Sequence, residues 1–388
     1  MVEPRPIVSL GLQTSVFALV SAAFSTIYIT QPVLPIIQET YRVSAAQASV
    51  TISAVILGIT LANLPFGALA DRWTIRPIIL AGGLMVVGGN IVCAITENYQ
   101  GLVIARFIQG LFIPALTTCL AAFLSRRLPP QRLNVVMGTY VSATVAGGLG
   151  GRLLGGLFHP TFNWRWAFVI AAGLVAIACG VAWRWLPREQ TTAPRRSATL
   201  GFLQLLTQAP LRKNYLVAFS AFFVFSSVFN YLPFYLAGPA FGAPTRTITF
   251  MYLVYLIGIV IGPLAGQLSN RFGNGRTMAA GAILFGLSLG GTLYPALFAV
   301  VVGLAGVCAG FFTIHAAAVG WLNRNLVSSR GRANSLYVLF YYAGGACGIT
   351  LSGSVYERFS WVGVVGMGAT MLLIPLWIGL QGLKHEQA

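Results

Sequence analysis

Stretches of about twenty predominantly apolar residues recur along the whole chain, and no other feature limits its folding as strongly. They lie near 8–36, 46–69, 77–96, 101–124, 133–157, 164–186, 213–237, 246–269, 277–294, 297–322, 333–356 and 361–382. A helix of that length spans the hydrocarbon core of a bilayer, and in lipid a helix satisfies its own backbone polar groups. The expected fold class is therefore an all-α polytopic membrane protein of twelve transmembrane helices. A soluble domain is excluded: 57% of the 388 residues are hydrophobic and 8% charged, against about 25% charged in soluble proteins. The first apolar run is too long for the core of a cleaved signal peptide, so none is expected.

The cations set the orientation. With both termini in the cytoplasm, that side holds Arg5, Arg72, Arg76, Arg126, Arg127, Arg132, Arg184, Arg188, Arg195, Arg196, Arg212, Lys213, Arg271, Arg276, Arg324, Arg330, Arg332 and Lys384. The opposite side keeps only Arg42, Arg165, Arg246 and Arg358. This positive-inside bias sets the expected orientation, with both termini in the cytoplasm. It also absorbs most of the +17 formal charge, so a nucleic-acid partner is not implied.

One long polar break, 187–212, divides the chain into halves at 1–186 and 213–388. The halves repeat. Gly67-Ala-Leu-Ala-Asp71-Arg72-Trp-Thr-Ile-Arg76 follows the second span, and Gly266-Gln-Leu-Ser-Asn270-Arg271-Phe-Gly-Asn-Gly-Arg276 follows the eighth. Tyr140 to Gly151, with Gly147 and Gly148, is echoed by Tyr337 to Gly348, with Gly344 and Gly345. Trp164 and Trp361 open the sixth span of each half. A duplicated six-helix unit implies two pseudo-symmetric bundles that rock about a central site.

At these residues the chain resembles the major facilitator superfamily over essentially its full length. Gly67, Leu69, Ala70, Asp71 and Arg72 match that superfamily's loop motif after the second span, with Thr74 and Ile75 departing from it and Arg76 keeping the charge. Arg106-Phe-Ile-Gln109-Gly110 is similar to its fourth-span element. Gly147, Gly148, Gly150, Gly151, Gly155 and Gly156 resemble the fifth-span row of drug/proton antiporters, without its Pro. With Gln31-Pro32-Val33-Leu34-Pro35 ending span one, the sequence looks most like bacterial inner-membrane efflux proteins. The resemblance implies that Asp71, the only Asp, latches onto the N-terminus of span eleven and closes the cytoplasmic side. Gly67 then lets two helices touch, and Arg72, Arg76, Asn270 and Arg271 belong to the same gate. It further implies that spans one, four, seven and ten line the cavity, which makes Tyr28, Gln31, Gln109 and Asn230 substrate candidates.

Arg106 and Arg152 fall inside spans, where an ionisable group is costly and marks function by default. Snorkelling to the interface is the competing reading. None of the seven carboxylates, Glu3, Glu39, Asp71, Glu97, Glu189, Glu357 and Glu386, lies mid-span. The pair therefore suggests a substrate with an anionic group, since guanidinium matches carboxylate and phosphate geometry. Arg106→Ala is expected to abolish transport without loss of folding. A cationic-drug antiporter with a buried acid is less supported. Proton coupling can pass through Glu39, Glu357, the substrate, or His315, the one mid-span histidine. The glycine row, Gly147 and Gly151 above all, reads as a sliding gate surface.

Gly286-Leu-Ser288-Leu-Gly290 matches a hydrolase elbow but lies within a span, and neither lysine follows a phosphate-binding loop. Five scattered cysteines and three histidines lack metal spacing. No enzyme, cofactor or metal site is expected. The expected function is secondary transport of a small organic molecule, by efflux, in a monomer. An organic-anion importer or exchanger and a non-transporting receptor or assembly factor are the alternatives.

Overall fold

The computed structural model describes Leu10–Ala70, Arg72–His159, Thr161–Leu186, Gly201–Leu326 and Ser329–Glu386. Every regular element among these residues is helical. In order, they are α1 (Leu10–Tyr28), a 3-10 turn (Gln31–Val33), α2 (Leu34–Tyr41), α3 (Ala45–Ala70), α4 (Ile75–Ile95), α5 (Tyr99–Leu116), α6 (Thr118–Arg127), α7 (Pro130–Leu157) and α8 (Trp166–Trp185). After the polar break come α9 (Phe202–Thr207), α10 (Ala209–Ala237), α11 (Thr245–Met251), a 3-10 turn (Tyr252–Leu256), α12 (Ile257–Phe272), α13 (Asn274–Gly291), α14 (Leu297–Asn325) and α15 (Arg330–Glu386).

Among the described residues, nine segments are long and apolar enough to cross a membrane. One of them, Gly331–Gly382, is 52 residues long and contains a break at Ser360, whose φ of 51° and ψ of −148° lie outside the helical region. That single residue turns one apparent helix into two. The outward faces are apolar: Leu84, Ile95, Leu287 and Phe298 are each more than 70% exposed, as a surface facing hydrocarbon requires.

The first span does not end at Gln31–Pro35. Pro32 and Pro35 remove two backbone donors, so the helix breaks into the 3-10 turn, but α2 restarts with Pro35 in its first turn and runs on to Tyr41. The candidate crossing accordingly extends over Leu10–Tyr41.

By packing, the described residues fall into two units: those within Met1–Thr30 and Gly58–Arg196, and those within Gln31–Leu57 and Ser197–Ala388. In the first, α1 packs on α7 and α8, and α4 on α5 and α8. In the second, α10 packs on α15, and α13 on α14 and α15. The repeat recurs in this packing. A Cβ at Gly147 or Gly151 of α7 would lie closer than 3.0 Å to the carbonyl oxygen of Ser21 or Ser25 of α1, and one at Gly155 equally close to that of Ile29, just past the end of α1. A Cβ at Gly344 or Gly348 of α15 would meet Phe219 or Phe223 of α10 in the same way. Each unit thus holds one helix pair whose backbones touch because glycine leaves room.

Candidate transport site

Arg106 is fully buried, so it does not snorkel. α5 places it one turn before Gln109, and its Nη1 donates to Gln109 Oε1 at 2.9 Å. Nη1 also donates to the Thr26 carbonyl at 2.7 Å, and Nη2 to the Ile27 carbonyl at 2.5 Å. Both carbonyls belong to the last turn of α1. A cation at a helix C-terminus also meets the negative end of the helix dipole. The Phe168 ring closes one side, 5.6 Å from the guanidinium carbon. Arg106 therefore splints the end of α1 as well as carrying charge, a role that residue spacing did not reveal.

Arg152 is 2% exposed and reaches the same place from α7. Its Nη1 donates to the Gly148 carbonyl at 2.7 Å, and its guanidinium lies 3.9 Å from the centre of the Tyr28 ring. The glycine row makes this approach possible, because it brings the α7 backbone onto α1. Two buried cations thus converge on residues 26–28. The sequence candidates Arg106, Gln109, Arg152 and Tyr28 form one cluster.

The remaining candidates lie in the second unit. His315 Nδ1 is 3.0 Å from the Tyr337 hydroxyl, and its ring lies near Phe311 and Tyr341. Around it are two stacked pairs, Phe222 with Tyr341 at 3.7 Å and Phe225 with Phe311 at 3.9 Å. Asn230 of α10 is fully buried, and neither atom of its amide finds a hydrogen-bond partner. Leaving a buried amide unmatched is costly, so such a group in a native fold points to a water or a ligand. Gln31 is also buried, on the 3-10 turn that packs against α10. No carboxylate was expected beside these groups; what the spacing missed was the aromatic stacking, since aromatic residues in apolar spans look alike whether they face lipid or each other.

Of the gate residues, Asp71 lies outside the described residues. Among the described residues, none has an atom within 4 Å of where a Cβ at Gly67 would stand. Arg72 is exposed. Arg76 donates through Nε to the Leu186 carbonyl at 3.1 Å and lies 5.5 Å from the Trp183 ring, which ties it to the end of α8. In the repeated motif, the Asn270 side chain accepts from Arg324 at the end of α14, while Arg271 lies beside Phe272. A contact not foreseen forms at the opposite end of the spans. The Glu357 carboxylate accepts from the Ala46 N–H at 3.2 Å, in the first turn of α3. That turn is already closed by a reciprocal cap between Ser44 and Gln47. Glu357→Ala is expected to lower the unfolding temperature by about 1 °C at low salt, because an exposed carboxylate at a helix N-terminus contributes about 0.5 kcal/mol. The difference should fade at 1 M salt, and calorimetry at the two salt concentrations checks it.

The sequence profile described as "Major Facilitator Superfamily" matches residues 16–311 and 239–385. The chain belongs to the Major Facilitator Superfamily. Among its relatives, the uncharacterized MFS-type transporter YybF of Bacillus subtilis (strain 168) is 28% identical over 373 residues, spanning 93% of this chain and 91% of YybF. The inner membrane transport protein YnfM of Escherichia coli (strain K12) is 28% identical over 363 residues, spanning 92% of this chain and 87% of YnfM. The crystal structure of the human organic anion transporter MFSD10 (TETRAN) superposes with a TM-score of 0.74 at 17% identity, over 95% of this chain and 99% of that one.

Membership in the superfamily makes the protein a membrane transporter of small molecules and not an enzyme. The Gly286–Gly290 match to a hydrolase elbow sits within the helix α13.

Proposed function

We propose that this transporter exports a small organic molecule bearing an anionic group, by alternating access. The observation that carries this reading is the convergence of two buried guanidinium groups, Arg106 and Arg152, on the last residues of α1. Fixed positive charge in a low-dielectric environment raises the local concentration of anions and orients them. Within the second unit, His315 and the unmatched amide of Asn230 are the polar groups we assign to substrate binding. The Asp71 motif and the glycine rows act as gates. Twelve crossings in two six-helix halves, joined by 187–212, with both termini in the cytoplasm of a bacterial cell, follow from the apolar runs and the distribution of cations. Proton coupling runs through His315, Glu39, Glu357 or the substrate.

MFSD10 is named as an organic anion transporter; at 17% identity its likeness speaks for the fold alone. The test is a thermal-shift screen of the detergent-purified protein, wild type beside Arg152→Gln, against matched panels of organic anions and lipophilic cations. A ligand at a hundred times its Kd stabilises the folded state by about 2.7 kcal/mol. The expected result is that anions raise the unfolding temperature of wild type and that Arg152→Gln loses at least half of that rise. Stabilisation of both proteins by cations and of neither by anions overturns the reading. Counterflow in proteoliposomes with a stabilising anion then separates export from an importer or exchanger of the same fold.

A further inference from the structure

The first unit carries a cavity of about 480 Å³ on its outer side, between α1, α7 and α8. Its walls are apolar, with Phe17 and Ala18 at one end, Leu157 and Phe158 at the other, and Leu174 and Ile177 along the α8 side. The two hydroxyls in its lining are already engaged: Ser21 Oγ donates to the Ala143 carbonyl at 3.2 Å and Ser25 Oγ to the Ala22 carbonyl at 2.9 Å. No polar group in the lining therefore recognises a headgroup or a polar solute, and what fits is a saturated hydrocarbon chain.

The length selects among hydrocarbons. From Ala146 to Leu157 the cavity follows α7 over eleven residue steps, about 16 Å at 1.5 Å per residue. One leaflet of a bilayer core is about 15 Å deep. The cavity begins near the middle of the span and ends where α7 ends, beside His159 and just before Trp166, which is 55% exposed at the start of α8. An exposed Trp of that kind marks the interface of polar headgroups with hydrocarbon. The rim residues Ile177, at 66% exposed, and Phe17, at 43%, leave the cavity open to the outside of the unit. The floor contains Gly150, where a Cβ would meet nothing within 4 Å.

From this geometry we infer a binding site for one acyl chain of a phospholipid in the leaflet that faces away from the cytoplasm. The chain lies along α7, with its end between Phe17 and Ile177 and its headgroup level with His159 and Trp166. The site touches Gly147, so the bound lipid borders the same α1–α7 contact that seats Arg152. The site rests on the membrane setting of the family and not on the nature of the transported solute.

Gly150→Leu adds bulk at the floor from a position where a Cβ meets no atom within 4 Å, and Gly138→Leu places the same side chain on α7 at another position with open space around its Cβ. Each protein is reconstituted in vesicles of phosphatidylethanolamine and phosphatidylglycerol, extracted into mild detergent and analysed by native mass spectrometry. The expected result is that wild type and Gly138→Leu retain one more phospholipid per chain than Gly150→Leu. A phosphatidylethanolamine with a photoactivatable acyl chain should label peptides containing Leu153, Leu154 or Ile177 in wild type, at least fivefold more than in Gly150→Leu. Equal retention and equal labelling in all three proteins overturn the site. A change in which Gly138→Leu loses as much lipid as Gly150→Leu overturns it as well, since loss would then follow from added bulk anywhere on the helix. Neither readout depends on transport, so failure here leaves the reading of the substrate standing, and the reverse holds too.

Discussion

Replacing Arg106 by Ala should reduce transport at least a hundredfold and also lower the stability of the folded protein. The side chain holds the Thr26 and Ile27 carbonyls and the Gln109 amide together at the end of α1. Each charge-assisted hydrogen bond contributes about 1.5–3 kcal/mol, and a buried carbonyl left without a donor costs about 1–3 kcal/mol. Removing a buried cation relieves several kcal/mol of desolvation, which offsets part of that loss. A net destabilisation of about 2–4 kcal/mol is expected. This adds a stability cost to the loss of transport that the sequence suggested. Arg106→Lys should not rescue either property, because one ammonium cannot reach three acceptors arranged around a planar fork. Unfolding temperature in detergent and initial uptake in proteoliposomes check both. An Ala variant as stable and as active as wild type would mean that Arg106 neither splints α1 nor takes part in transport.

Replacing Gly151 by Val should be comparably severe for a different reason. A Cβ at that position would lie closer than 3.0 Å to the Ser25 carbonyl oxygen, which is backbone and cannot swing aside. To accommodate it, α1 and α7 must separate, and Arg152 then loses its seat on Tyr28. Overpacking of this kind costs about 1–3 kcal/mol, and the separation reaches the charged cluster itself. Transport should fall at least tenfold. Gly348→Val, against the Phe223 carbonyl of α10, should do the same in the second unit. Gly138 of α7 has open space around it, so Gly138→Ala should be silent or stabilising by about 0.5–1 kcal/mol, as expected for Gly→Ala in a helix. If Gly151→Val and Gly138→Ala behaved alike, helix propensity rather than close approach would explain the glycine row.

The two substitutions differ in how far they could be foreseen. Gly147, Gly151, Gly344 and Gly348 declared themselves by spacing, because i,i+4 glycines make a flat stripe on any helix. Arg106 declared only that a charge was buried. Its partners are backbone carbonyls, and since every residue carries one, no residue type marks which will be reached. The same holds for Glu357, whose partner is an amide 311 residues away in sequence.

The sequence by itself determined the helical class, the membrane setting and the duplication. These depend on one-dimensional quantities: the length of apolar runs, the side on which cations fall, and the period between repeated motifs. Tertiary structure alone decided that α1 breaks and restarts as α2, and that Arg106 and Arg152 meet at the end of α1. The physical reason is that lipid rewards any apolar helix equally, so composition places a residue within a span. Only the close packing of particular backbones settles which atoms it touches there.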